Sequence, residues 1–581
     1  MKKSLLLLLF SIILTPSFSQ TTAQGIWFLK EQQYDHAYQN FRDMIKADAN
    51  NDTAWFYLGN CYFIDQRYDS AQICYEKSGS IESNFPYYYI GLGKVQLAKK
   101  NRAAALESFD RAKRLDKRNI EVYTLIVDGC LRPEIKDTLT ARMYLEYANK
   151  ENSSSPKYFI KSASQFFLEL GDLEFLENNL GKAANAYESV IYYDKNNYEA
   201  YVRLGILYAS ARNFIEAHDA FNKAIKLNPS IIMAYKYLGD LCYGAGRYSE
   251  ADSSYTNYFS KAEVSTDDEE RYSLIMFFDK NYDKADSLME QVIKKMPDNP
   301  VLFRIRGYIA YETGNYKNGL NYMNQFFRIQ KNPDKIIASD YEYLGKLYLK
   351  NSMDSLGIIN LEKSIALDSN KVYNYLEIAN IYSKKENHIK AAEYYRKVKT
   401  STPQEELNNS FRLGTECFYA GTQFKADYDT LKSSEAKQQN IPQEQILSLQ
   451  QNYVKYLNQA DSCFSIVASL STKSHLGYLW KARAKSLLDP ESMTDSAKNT
   501  YDKVLSLISP DDQTKYKKVI IECYRYFGSY YFFHSDREKK TDPAASRSDK
   551  KMAKDYFEKI LSLDTNDQQA QIVLKALNQP E

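Results

Sequence analysis

Helix breakers are scarce in this chain: its 581 residues include 21 Gly and 14 Pro. So few turn formers over such a length favour helices joined by brief connections, and strand-like alternation is hard to find. An excess of one charge is missing too, because 76 Lys and Arg face 74 Asp and Glu for a formal net charge of +2. Nothing resembles the basic stripe of a protein that tracks phosphates, so no nucleic-acid partner is expected. The five His, at 36, 218, 388, 475 and 534, are scattered without ligand-type partners one helical turn away, so no metal cluster is expected. There is no phosphate-cradling glycine loop and no Gly-x-Ser-x-Gly elbow. No catalytic residue, metal or cofactor is assigned, and the chain is not read as an enzyme.

Long apolar runs are confined to the N-terminus. Met1-Lys2-Lys3 precedes the apolar Leu5 to Leu14, and Pro16-Ser17-Phe18-Ser19 offers small residues before Gln20. This is the layout of a secretory signal peptide over residues 1–19. The run is too short to span a bilayer comfortably, and no Cys sits near the cleavage point for a lipid anchor. An exported chain without stable membrane insertion is expected, in the periplasm or associated with the outer membrane. The seven Cys do not read as a disulfide framework. Cys242 and Cys417 each follow a glycine by three residues, the slot that Tyr62, Tyr208 and Tyr348 fill elsewhere. They look like small buried hydrophobes. A single Cys61–Cys74 disulfide is left open.

What the chain does contain is a repeat. Small residues recur at Gly25, Gly59 and Gly93, then at Gly205, Gly239, Ser273 and Gly307, each 34 residues after the last, with Gly345 and Ala379 continuing the series. Twelve residues beyond each anchor sits a second small residue, as in Ala37, Ala71, Ala217 and Ala391, and four further on a large one, as in Phe41, Tyr75, Phe221 and Tyr395. Both sets fall on helical stripes too short to be stable alone, so stacked copies are required.

Trp55, Leu58, Gly59 and Tyr62, with Ala217, Phe221, Ala224 and Pro229, carry the signature of the tetratricopeptide repeat, which this chain resembles over nearly its whole length. The resemblance implies an all-α, right-handed superhelical solenoid that binds proteins or peptides on a concave wall built by the first helix of each repeat. Positions three before and one after each anchor would face that wall. Asn60, Lys94, Lys236, Asp240, Arg304, Tyr308, Lys346 and Asn380 are the candidate partner-binding residues among them, beside the apolar Phe56 and Ile90. The couples Lys236–Asp240 and Glu342–Lys346 also suit simple surface pairs. The ring of Lys, Arg and Asn with which some family members hold chaperone tails is not found.

The expected organisation is an array of about eleven repeats over 20–405, an irregular unit with a long insertion over 406–471, further repeats over 472–566, and a cap over 567–581. Arg132-Pro133 and residues 152–156 read as lengthened connections, Lys432 to Gln443 as a loop, and Ser535 to Lys551 as a mobile charged insert. Most of the 51 Tyr fall in packing slots. A glycan-binding role for groove aromatics such as Tyr308 is the alternative to a protein scaffold. Asp-Ser/Thr-aliphatic triplets such as Asp69-Ser70-Ala71 and Asp286-Ser287-Leu288 resemble envelope O-glycosylation acceptors, and they equally suit helix starts.

Overall fold

The computed structural model describes residues 21–153, 156–435 and 442–578. Residues 1–19, read above as a signal peptide, lie outside them. The described residues form 29 α-helices and no strand, an all-α helical repeat solenoid. The chain divides into two compact units, Met1–Ile305 and Arg306–Glu581. Within each, successive helices pair as hairpins, such as Asp52–Ile64 with Tyr68–Ile81 or Tyr198–Ser210 with Phe214–Leu227. The last helix, Gln568–Leu577, packs Ala570, Leu574 and Leu577 on the preceding one.

The anchors are small because an aromatic ring lies on them. A Cβ on Gly59 would meet the Tyr75 ring at 2.5 Å, and one on Gly205 the Phe221 ring at 2.5 Å. Ala37, Ala71, Ala105 and Ala217 are wholly buried at the same crossings, and close approach of this kind is what gives a solenoid its interior packing density.

Seven residues after each anchor, and after Gly171, which lies under the Tyr187 ring in the same way, the backbone turns left-handed. At Gln32, Gln66, Lys100, Asn178, Arg212, Lys280, Ser352 and Glu386, φ lies between +55° and +63°. Glycine fills this slot only at Gly246 and Gly314. A side chain there costs roughly 1 kcal/mol, offset by the helix end it allows: Asn213 N donates to Tyr208 O at 2.8 Å, which satisfies a terminal carbonyl.

Several expectations are corrected. Lys432 to Gln443 is not one loop, since helix Pro403–Glu435 runs into it and helix Gln443–Leu470 starts at its end, with 436–441 outside the described residues. Their arms are zipped by Phe424 on Tyr456 and Tyr428 on Tyr453, ring centroids 5.7 and 5.3 Å apart. Most of Ser535 to Lys551 is helical as well. Helix Lys517–Glu538 extends to meet helix Pro543–Leu563, whose start is fixed by Pro543 at its first position and by Asp542 accepting from Ala544 N and Ala545 N. The 152–156 connection shortens to residues 154–155, between helices Thr138–Ser153 and Pro156–Leu176, and those two residues lie outside the described ones. Cys61 and Cys74 are free thiols, pushed up to about 12 and about 11 by burial. No helix among the described residues is long and apolar enough to cross a membrane.

Candidate functional site: inner polar slots and the N-terminal seam

Most of the residues expected on an open wall are engaged within the fold. Tyr75, Tyr187, Tyr255 and Tyr395 each donate their hydroxyl to the residue fifteen earlier: Asn60 at 2.9 Å, Asp172 and Asp240 at 2.7 Å, Asn380 at 2.6 Å. Asn or Asp follows the anchor only where the large second-helix residue is Tyr. Where it is Phe41, Phe109, Phe221, Met289, Met323 or Leu361, the residue after the anchor is Ile26, Lys94, Ile206, Leu274, Tyr308 or Lys346. The slot is therefore a latch, because a buried hydroxyl must find an acceptor. Tyr75→Phe should cost about 1 kcal/mol by orphaning Asn60, and Phe221→Tyr about 2 kcal/mol by burying a hydroxyl against Ile206. Phe221→Tyr with Ile206→Asn should recover most of that loss in urea denaturation.

The remaining candidates follow suit. Lys94 is 2% exposed and pairs with Asp128 at 3.3 Å. Lys236 reaches Asp268 at 2.7 Å rather than Asp240, whereas Lys346 does pair with Glu342 at 2.6 Å. Burial raises the Glu342 carboxyl, and hydrogen bonds from Lys346 and Lys371 outweigh it to hold the group below its usual range. Tyr308 is buried, donates to Asp340 at 2.7 Å and stacks on Tyr343 with centroids 3.9 Å apart, so it offers no free face to a sugar. Arg304 is half-buried on helix Pro300–Glu312. Phe56 and Ile90, at the other expected wall position, are fully buried core.

The first unit has a second layer of charge that the slots alone did not reveal. Arg203 pairs with Asp172 through two contacts of 2.9 Å, and Arg271 lies 3.9 Å from Asp240, each couple 31 residues apart. Asp128 sits between Lys94 and Arg132, both at 3.3 Å. Desolvation acts against its charge, but these two cations prevail and lower it to about 2. Burial pushes the Glu169 carboxyl well above its usual value, with Asp172 and Asp128 adding to the effect.

More informative is a seam that joins the N-terminus of the first unit to its repeats some 200 residues later. Neither helix Tyr34–Ala47 nor helix Met233–Gly244 has a side-chain cap of its own. Each receives one from the other side. Glu31 Oε2 accepts from Ile232 N at 2.8 Å and Met233 N at 3.0 Å, and the Glu263 carboxylate accepts from Asp35 N at 3.0 Å and His36 N at 2.7 Å. Gln33 accepts from Glu263 N, and Lys30 pairs with Glu199 at 2.7 Å. Carboxylates on helix N-termini are favoured by both hydrogen bonding and the helix dipole. Beside this seam lies an open cleft of about 390 Å³ lined by Trp27, Phe28, Gln33, His36, Ser230, Ile232 and Lys261.

Two groups of metal-type donors also assemble among the described residues: His218, Cys242 and Glu250, and His534, Glu538 and Asp549. In the first, His218 Nε2 lies 3.4 Å from Glu250, but Arg247 already holds that carboxylate and burial pushes the Cys242 thiol up to about 11. In the second, His534 and Glu538 stand one turn apart on one helix, a spacing that corrects the reading of five isolated histidines.

The fold and these slots define a class, the stacked helical-hairpin solenoids. The chain contains tetratricopeptide repeats, for that family's pattern matches residues 198–231, 372–405 and 22–76. Proteins built of such repeats generally act as protein-interaction scaffolds and are typically non-catalytic. Anaphase-promoting complex subunit 3 of Schizosaccharomyces pombe is 27% identical over 110 residues, 19% of this chain and 16% of that protein, so the chain spans about a sixth of that relative's length. Among solved structures, the C-terminal part of a TPR repeat-containing protein from Cytophaga hutchinsonii is 25% identical, with 52% of this chain and 99% of that one covered and a TM-score of 0.34. Yeast Tom70 is 12% identical, with 71% and 98% covered and a TM-score of 0.28.

Proposed function

We propose that this protein is a non-catalytic scaffold of the bacterial periplasm or cell envelope that holds protein or peptide partners. The observation that carries this reading is the cleft beside the N-terminal seam. It combines aromatic and apolar surface from Trp27, Phe28 and Ile232 with the polar rim of His36, Ser230 and Lys261, the mixture that anchors a peptide side chain. The inner slots support it indirectly, since their charges are matched internally and present no single-sign field for nucleic acid. Export rests on the basic, apolar and small-residue order of residues 1–19.

The test is a photo-crosslinking amino acid at Lys261 of the full chain in its native cell, with the same group at the outward-facing Ile73, 65% exposed, as control. A discrete polypeptide adduct from position 261 and not from 73 is expected, in material released by osmotic shock. Equal labelling at both positions would overturn the cleft, and retention with the cytosol would overturn export.

A further inference from the structure

We infer that the tip of the helical hairpin Lys517–Glu538 and Pro543–Leu563 holds a divalent first-row transition cation on His534, Glu538 and Asp549. His534 and Glu538 share a face because they are four residues apart on one helix. Asp549 comes across from the partner helix, and one donor atom from each of the three lies within 4.8 Å of the other two. Ligands bound at about 2.0–2.2 Å from a common ion stand somewhat closer than that, so small side-chain rotations complete the shell.

Three features separate this cluster from an ordinary polar surface. Glu538 Oε2 has no solvent-accessible area and no hydrogen-bond donor. A carboxylate oxygen buried in that way is costly unless a cation meets it. The His534 ring is already set for ligation, since its Nε2 lies 3.2 Å from the Ser492 carbonyl. A carbonyl only accepts, so in the neutral ring the proton is on Nε2 and the lone pair on Nδ1 is left for a metal. This is the outer-shell arrangement that fixes the tautomer of ligating histidines, and stacking on Tyr530 at 4.3 Å holds the plane. Finally, Arg537, next to Glu538 in the chain, donates instead to the Glu491 and Ser492 carbonyls at 2.7 and 2.9 Å.

One imidazole and two carboxylates favour zinc, manganese or iron over calcium and magnesium, which prefer all-oxygen shells. Three protein donors leave further positions to water. The site lies where this hairpin outgrows the regular repeat, beyond Phe557, whose ring packs on Gly528. There the ends of the two helices are joined by residues 539–542 and by Ser535 and Ser546, each hydroxyl bonded to the other's carbonyl at 2.9 and 2.8 Å. A bound cation would fasten these ends further.

The experiment is zinc uptake by the full chain in competition with a chromophoric chelator, carried out on the Cys242→Ser background to remove the thiol of the other donor group. One zinc per chain is expected, with affinity lowered at least about tenfold by Glu538→Gln or Asp549→Asn and lost in His534→Ala. Zinc should also raise the thermal midpoint of the Cys242→Ser chain, raise that of Glu538→Gln less at the same concentration, and leave that of His534→Ala unmoved. Glu538→Gln keeps the side-chain shape, so its circular dichroism without metal should match the parent. No zinc uptake by the Cys242→Ser chain, or the same affinity with and without Glu538→Gln and Asp549→Asn, would overturn the site.

Discussion

Lys94→Ala is expected to destabilise the first unit by about 2 kcal/mol, the scale for emptying the space of a long buried side chain; Asp128 is left half-exposed and still paired with Arg132. The ammonium is 2% exposed and 3.3 Å from Asp128, and its stem lies on Gly129, where a Cβ would come within 2.6 Å of Lys94 Cγ. Alanine removes both the charge and the methylenes that fill this space. Lys94→Met keeps most of the volume and should lose less, whereas Lys94→Met with Asp128→Asn should lose more than Lys94→Met alone, because Arg132 then has no carboxylate beside it. Burial lowers the Lys94 pKa, so the ammonium is held against a desolvation cost that Asp128 offsets. The acid side has a definite sign. Asp128 is depressed to about 2, so its contribution is complete above the ordinary carboxylate value of about 4 and is lost as pH falls towards 2. Amide protection factors in helices Pro86–Ala98 and Ile120–Leu131, taken against the intrinsic exchange rate at each pH, should fall across that range in the parent and change little in Asp128→Asn. Equal exchange in Lys94→Ala and the parent at neutral pH would refute the pair's structural weight.

How much of this was legible follows from the range of each interaction. The 34-residue register was plain because Gly59 and Tyr75, or Gly205 and Phe221, meet inside one hairpin. The latch was legible too, in the coincidence of Asn60 with Tyr75 and Asp240 with Tyr255, but these residues were read as facing a partner because only a structure shows the hydroxyl between them. The left-handed turns escaped notice since Gln66, Lys100 and Arg212 stand where glycine would announce them. The helical parts of the two long hairpins were mistaken for loop because polarity was weighed above helix propensity. In Lys432 to Glu435 and in most of Ser535 to Lys551, Lys, Glu, Arg and Ala are compatible with helix, and the aromatic pairs Phe424–Tyr456 and Tyr428–Tyr453 hold the first hairpin together. His534 and Glu538 were visible at helical spacing, whereas Asp549 joins them only through the hairpin. Nothing local to Glu31 or Glu263 indicates that each caps a helix some 200 residues away.

That seam makes the last expected result specific. Glu31 is 4% exposed and is the acceptor for two backbone N–H groups that have no cap of their own. Glu31→Ala leaves both orphaned in a buried place, at about 2–3 kcal/mol against the seam. The loss should appear first as faster exchange at Ile232, Met233, Asp35 and His36, because Gln33 couples the two caps by donating to Glu31 O at 2.7 Å and accepting from Glu263 N. Helices Arg102–Leu115 and Thr138–Ser153 pack in a different core cluster and should keep the parent's exchange. Glu263→Ala should reproduce the pattern from the other side. The double variant should then cost less than the sum of the two single changes, since an opened seam has no second cap left to lose. Strict additivity would mean that the caps act separately. In that case the cleft at Trp27, Phe28 and Lys261 would survive the loss of either one, and photo-crosslinking from position 261 in Glu31→Ala would match the parent. With coupled caps the cleft disperses as the seam opens, and that crosslink is lost together with the slow exchange of Ile232 and Met233.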